Sequence, residues 1–108
     1  MENLKDKKCI PREDGTPPMN RTEIDQHLDM LPSEWEVSDD KILKKSFPFE
    51  NFKRGMAFAQ EIGMVAEKEN HHPDLGIHYT NVDVELSTHS IGGLSKNDFI
   101  MAAKIEQL

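Results

Sequence analysis

The sequence predicts an α+β fold in the order α-β-β-α-β-β-α: a four-stranded antiparallel sheet with helices packed on one face. Three observations lead there. Apolar residues recur at helical spacing in three separate segments. Two pairs of short strand-like runs are each joined by a tight polar turn. The longest helical segment separates the two pairs, and hairpins alternating with helices give an antiparallel sheet covered on one side.

Residues 1–18 form a polar lead-in. Pro11, Gly15, Pro17 and Pro18 exclude a helix or a central strand there, so the domain is expected to span 19–108, with the tail adding little to its core. Asn20 with Glu23 three residues on reads as a capping box; Ile24, Leu28 and Leu31 follow at helical spacing, and Pro32 ends the helix. Trp35–Val37 and Lys41–Phe47 read as strands around a Ser38-Asp39-Asp40 turn. Leu43 and Phe47 share one face, which makes Lys45 between them either a snorkelling side chain or the mark of a bulge.

From Glu50 the period becomes helical. Phe52, Met56, Ala59, Gly63 and Ala66 make one stripe, with Phe58, Ile62 and Val65 beside it. Gly55 and Gly63 lower helix propensity, for which close packing on the sheet is the expected reason. Next, Leu75, Ile77 and Tyr79 alternate with polar residues, as do Val82, Val84 and Leu86. A Thr80-Asn81 loop puts all six on one face. Gly92-Gly93 breaks the chain. Ser95 and Asp98 then form a capping-box variant for a last helix that buries Phe99, Ala102, Ala103 and Ile105.

Composition narrows the function. Thirteen Lys and Arg against 20 Asp and Glu give a net charge of −7 in 108 residues. That balance argues against nucleic acid, whose binding needs clustered cations. No apolar run suits a signal peptide or a membrane span. The single cysteine, Cys9, excludes an internal disulfide, and a reducing cytoplasm is the expected compartment.

The chemistry-bearing residues concentrate late in the chain. Three of the five histidines are His71, His72 and His89. His71 and His72 follow the long helix and His89 follows the last strand; Asp98, opening the last helix, is placed to accept an N–H from His89 and fix its tautomer. Glu67 lies about one helical turn before His71. His27, on a polar helix face, and His78, on the open face of the sheet, are expected to be incidental. A metal reading would draw on Glu67, His71, His72, His89 and Asp98, but neither a His-x3-His pair nor facial-triad spacing appears. No metal or cofactor is therefore expected.

Glu67-x3-His71-His72-Pro73-x5-Tyr79-x9-His89-x8-Asp98 resembles the signature of the pterin-4a-carbinolamine dehydratases. The stretch from Thr88 to Phe99 is similar to the "TH-x-x-GGL-[ST]-x-x-DF" segment of the family's bacterial form. Trp35 after Leu-Pro, the Phe47-x-Phe49 pair and Gly15-x-Pro17-Pro18 match as well, so the resemblance covers residues 9–108. Arg12 stands near the place where bacterial members often carry a second Cys. Asn70 stands where animal members are often acidic.

The resemblance implies the same α-β-β-α-β-β-α fold and a dehydratase of 4a-hydroxytetrahydrobiopterin, a lyase in tetrahydrobiopterin recycling. It also implies a homodimer or homotetramer joined through sheet edges and helices, and a metabolic link to an aromatic amino acid hydroxylase. His71, His72, His89 and Asp98 would be catalytic. Glu67, Asn70, Pro73, Ser87 and Thr88 would contact the pterin, with main chain at Ser87 and Thr88 pairing along its flat edge. Two readings stand beside this one: a non-catalytic protein-binding module of the coactivator type, and a metal-dependent hydrolase.

Overall fold

The computed structural model describes residues 3–12 and 15–108. Of the expected lead-in, residues 1, 2, 13 and 14 lie outside the described residues. The elements run α1 (Arg21–Leu28), β1 (Glu36–Ser38), β2 (Ile42–Pro48), α2 (Phe52–Glu69), β3 (Asp74–Ile77), β4 (Asn81–Leu86) and α3 (Lys96–Ile105), with single 3-10 turns at Leu4–Asp6 and His89–Ile91. The sheet is antiparallel in the order β1-β2-β4-β3. This is the α+β architecture read from the sequence, down to the element order.

Both expected capping boxes are present. Asn20 and Glu23 exchange side-chain and main-chain bonds at the start of α1, and Ser95 and Asp98 do so at α3. Each satisfies amides that the first helical turn leaves without partners. Asp39 and Asp40, at φ 52° and 55°, carry the β1–β2 turn, closed by a Lys41 N–H to Ser38 carbonyl bond of 2.9 Å. Two positive φ values in succession match strand twist.

Val82, Val84 and Leu86 of β4 and Leu43 of β2 are fully buried beneath the helices. α3 is the central rod, buried from Asn97 to Ala103 and again at Ile105. Its neighbours α1, α2 and β4 each touch it.

The structure departs from the expected pattern in three places, and it settles the alternatives at Lys45. The buried stripe of α2 is Gly55, Phe58, Ala59, Ile62, Ala66 and Glu69. Phe52 and Met56 instead stand 46% and 43% exposed. Gly55 explains the rotation. A Cβ there would sit 3.4 Å from Val82 Cγ2, so the glycine lets α2 lie close against β4. A Cβ at Gly63 would meet open space.

The second hairpin pairs Ile77 with Val82, and the His78 N–H with the Asn81 carbonyl at 2.8 Å. Its loop is therefore Tyr79-Thr80, not Thr80-Asn81. The slip of two residues keeps Leu75 and Ile77 on the expected face but puts Tyr79 at the tip, 77% exposed.

β2 runs in unbroken register with β4, so Lys45 marks no bulge. Its ammonium lies over the Phe47 ring, 4.7 Å from the centroid, and bonds Glu106 Oε1 at 2.6 Å; Ser33 and Trp35 Nε1 donate to the same oxygen. Burial pushes the Glu106 carboxyl up, but these hydrogen bonds and the Lys45 charge outweigh it and hold the group below its ordinary value of 4.5. The pair therefore stabilises the fold above that value, and the contribution fades as pH falls through the lower folded value. Melts between pH 3 and pH 7 are expected to show Glu106→Gln less acid-sensitive than the parent over that window.

The N-terminal lead-in does add to the core. Leu4 is buried in the main cluster, and its 3-10 turn packs on α3. Main-chain hydrogen bonds tether residues 9–12, which a polar composition does not reveal.

Candidate functional site

α2 ends in a turn that composition alone does not specify. Asn70 adopts left-handed φ 54°, ψ 41°, and the His71 N–H reaches back to the Ala66 carbonyl at 3.2 Å. This is the six-to-one bond of a Schellman cap, and Asn is one of the few residues with a side chain that tolerates it. The turn sends the chain off the helix axis at His71. Pro73 then biases His72 toward extended backbone, so the two rings diverge.

His71 turns inward. Its Nε2 lies 2.7 Å from Asp98 Oδ1. Asp98 is 0% exposed, and its other oxygen accepts from Thr88 Oγ1 at 2.8 Å and from the Ser95 amide at 2.9 Å. The Thr88 hydroxyl has one proton and gives it to Asp98. The 2.7 Å contact between Thr88 Oγ1 and Ser95 Oγ is therefore donated by Ser95, whose oxygen in turn accepts from the Asn97 amide. A fully satisfied chain of donors thus holds one carboxylate at the start of α3. That carboxylate fixes the His71 tautomer with the proton on Nε2 and the lone pair on Nδ1. His72 turns outward, with Nε2 2.5 Å from Glu67 Oε2 on the last turn of α2.

His89 opens the 3-10 turn after β4 and is exposed. The turn sits in a narrow loop, pinned where the Thr88 N–H donates to the Gly93 carbonyl at 2.8 Å. The two glycines have separate reasons. Gly92 caps the turn at φ 69°, and a Cβ on Gly93 would lie 2.6 Å from Pro18 Cβ.

The expected site residues therefore flank the C-terminus of α2, the β4–α3 loop and the first turn of α3. Two expected contacts are corrected. Asp98 holds His71 rather than His89, because the meeting of α2 with α3 brings the first histidine to the carboxylate. Main chain at Thr88 is not open to a flat ligand, because the Thr88 amide is committed to Gly93. Ser87, just beyond the last paired residue of β4, is half-buried. Pro73 is half-buried, and Glu67 and Asn70 are exposed. Sequence reasoning missed the part of Ser95 in the relay. The signal was a polar pair, Thr88 and Ser95, flanking a Gly-Gly turn with a carboxylate three residues on.

The other titratable groups are separate. His27 Nδ1 meets the Glu23 carbonyl at 2.8 Å, and His78 Nε2 meets Asp83 on the open face of the sheet. Burial first, then the neighbouring Glu69 carboxylate, push the Cys9 thiol up to about 12, which makes it a poor nucleophile. Among the described residues, no helix is long and apolar enough to cross a membrane, and no three or more His, Cys, Asp or Glu groups converge as metal ligands.

A histidine keyed to one buried carboxylate, on a helix-covered antiparallel sheet, defines an α+β domain whose titratable side chains gather where α2 meets α3. Comparison with known proteins names the kind. Residues 17–108 match the family model described as pterin 4 alpha carbinolamine dehydratase, and the chain belongs to that family. A relative from Alkaliphilus metalliredigens is 45% identical over 107 residues, covering 99% of this chain and 96% of its own. One from Rickettsia canadensis is 48% identical, covering 98% and 97%. Both are provisionally named pterin-4-alpha-carbinolamine dehydratases. A crystal structure titled as a transcriptional coactivator/pterin dehydratase from Brucella melitensis superposes with a TM-score of 0.77 at 32% identity, covering 83% of this chain and 96% of that one. A pterin dehydratase-like protein titled as a RuBisCO assembly factor in the alpha-carboxysome shares the fold, with a TM-score of 0.61 at 20% identity over 70% of this chain and 89% of that one.

Proposed function

We propose that residues 19–108 form a pterin-4a-carbinolamine dehydratase domain. It would take water from 4a-hydroxytetrahydropterin and release quinonoid dihydropterin in a cytoplasmic recycling of tetrahydrobiopterin that serves an aromatic amino acid hydroxylase. The reaction needs two proton transfers. A base removes the proton on N5, the N5 electron pair forms the C4a=N5 double bond, and the C4a–O bond breaks as an acid protonates the leaving hydroxyl. Imidazole, with an ordinary pKa near 6.5, suits both roles near neutral pH.

The observation that carries the reading is the His71–Asp98 pair. Asp98 accepts from His71 Nε2 and leaves the lone pair on Nδ1 facing away from the carboxylate, which suits His71 to be the base. His89, exposed across the loop, is assigned the acid role, and His72 with Glu67 the holding of the substrate. Asn70, Pro73 and Ser87 are assigned to substrate contact, and Thr88 acts through Asp98. Stopped-flow absorbance with chemically generated carbinolamine tests the reading. Decay is expected to accelerate in proportion to protein concentration; a decay no faster than in buffer would remove it.

The binding-module reading has one observation in its favour: Phe52, Met56 and Met64 leave an exposed apolar face on α2. We assign that face to the homodimer or homotetramer expected of the family. A stable foreign partner combined with no turnover would favour the module instead.

A further inference from the structure

The three segments that carry the histidines and Asp98 are joined by a fourth, which the proposed chemistry does not use. Residues 9–12 reach all of them. The Cys9 amide donates to Glu69 Oε1 at 2.9 Å, two residues before His71. Ser90, next to His89, donates its hydroxyl to the Arg12 carbonyl at 2.9 Å. Asn97, next to Asp98, holds the strap in both directions: its Oδ1 accepts from the Ile10 amide at 3.1 Å and from Arg12 Nη2 at 3.3 Å, and its Nδ2 donates to the Ile10 carbonyl at 2.6 Å.

Asn97 and Glu69 are both buried polar residues, and a buried amide is costly unless its bonds are made. The strap makes them.

We infer that residues 9–12 are a clasp that sets the mutual placement of the α2 end, the His89 turn and the α3 start, with Asn97 as the positioning residue that holds Asp98 against His71. This rests on the reading of those histidines as the acid–base set. Acid–base catalysis is sensitive to such placement, because a shift of about 1 Å in a reacting group can cost on the order of a hundredfold in rate.

The test uses the full chain and two readouts: kcat for the carbinolamine, and the imidazole N–H resonance of His71 bonded to Asp98, assigned by its loss in His71→Ala. Asn97→Ala is expected to lower kcat about tenfold or more and to broaden that resonance. Asn97→Asp, which keeps the acceptor for Ile10 and Arg12 but turns the donor to the Ile10 carbonyl into a second acceptor, is expected to recover only part of both. Leu4→Ala, which removes buried lead-in contact without touching the clasp, is expected to lower the melting temperature and leave both readouts in place. Should Asn97→Ala fail to fold, Ser90→Ala, at an exposed hydroxyl, carries the test and is expected to cost a few-fold in kcat.

Wild-type kcat and an intact resonance in Asn97→Ala, or wild-type kcat in Ser90→Ala where Asn97→Ala does not fold, would overturn the clasp. A parent protein without turnover would remove the dehydratase reading while the resonance still decides the clasp.

Discussion

His71→Ala is expected to lower kcat for carbinolamine dehydration by about 10²–10⁴, the range that a positioned acid or base contributes. The chain should still fold, because Asp98 keeps its bonds from Thr88 and the Ser95 amide. Loss of one donor to a buried carboxylate costs about 1–3 kcal/mol, which a melt would read as a fall of several degrees. His89→Ala should differ in one respect. His89 is exposed, so its removal should leave the melting temperature nearly unchanged, and imidazole added to the buffer should restore part of the rate. Stopped-flow traces beside thermal melts separate the two variants.

Asp98 is the second position where a large effect is expected, and here it falls on stability as well. Asp98→Ala leaves the His71 Nε2–H, the Thr88 hydroxyl and the Ser95 amide facing a buried space with no acceptor. Breaking a buried charged network by removing one member costs about 3–5 kcal/mol, a large share of the stability of a domain this size. Asp98→Asn keeps the shape and changes the proton pattern. If its amide nitrogen faces His71, the ring must accept at Nε2, and the proton moves to Nδ1, where the base needs its lone pair. If the amide nitrogen faces the relay, it meets the Ser95 N–H donor to donor. The first arrangement is expected to lower kcat by about 10²–10⁴, as a wrong histidine tautomer does elsewhere, and either is expected to cost less stability than Asp98→Ala. Chemical denaturation and kcat on the two variants check this order.

The features legible in the sequence were those whose physics is local. Asn20 with Glu23 and Ser95 with Asp98 announce helix starts because the capping bonds lie within four residues. The alternation of Leu75 and Ile77 against Val82, Val84 and Leu86 announces a hairpin and its inner face. It does not announce the loop, since a slip of two residues leaves every side chain on the same face. α2 is apolar over a broad arc, so its buried stripe was settled by Gly55 meeting Val82 across the sheet rather than by periodicity. The partner of Asp98 was out of reach for a similar reason: His71 and His89 are both distant in sequence, and helix packing chooses between them. The clasp was hidden most deeply, because the strap offers mainly main-chain N–H and C=O groups, which every residue carries. Only Glu69, an acid on the buried stripe of α2, hinted that something polar crosses there.

The most direct test compares the parent chain with the His71→Ala/His89→Ala double variant in one stopped-flow experiment, following carbinolamine loss and quinonoid dihydropterin formation, with circular dichroism on the same samples. The expected result is a protein-dependent acceleration in the parent and decay at the buffer rate in a folded double variant. A folded double variant that dehydrates the carbinolamine as fast as the parent would contradict the assignment of the histidine cluster as the seat of the chemistry.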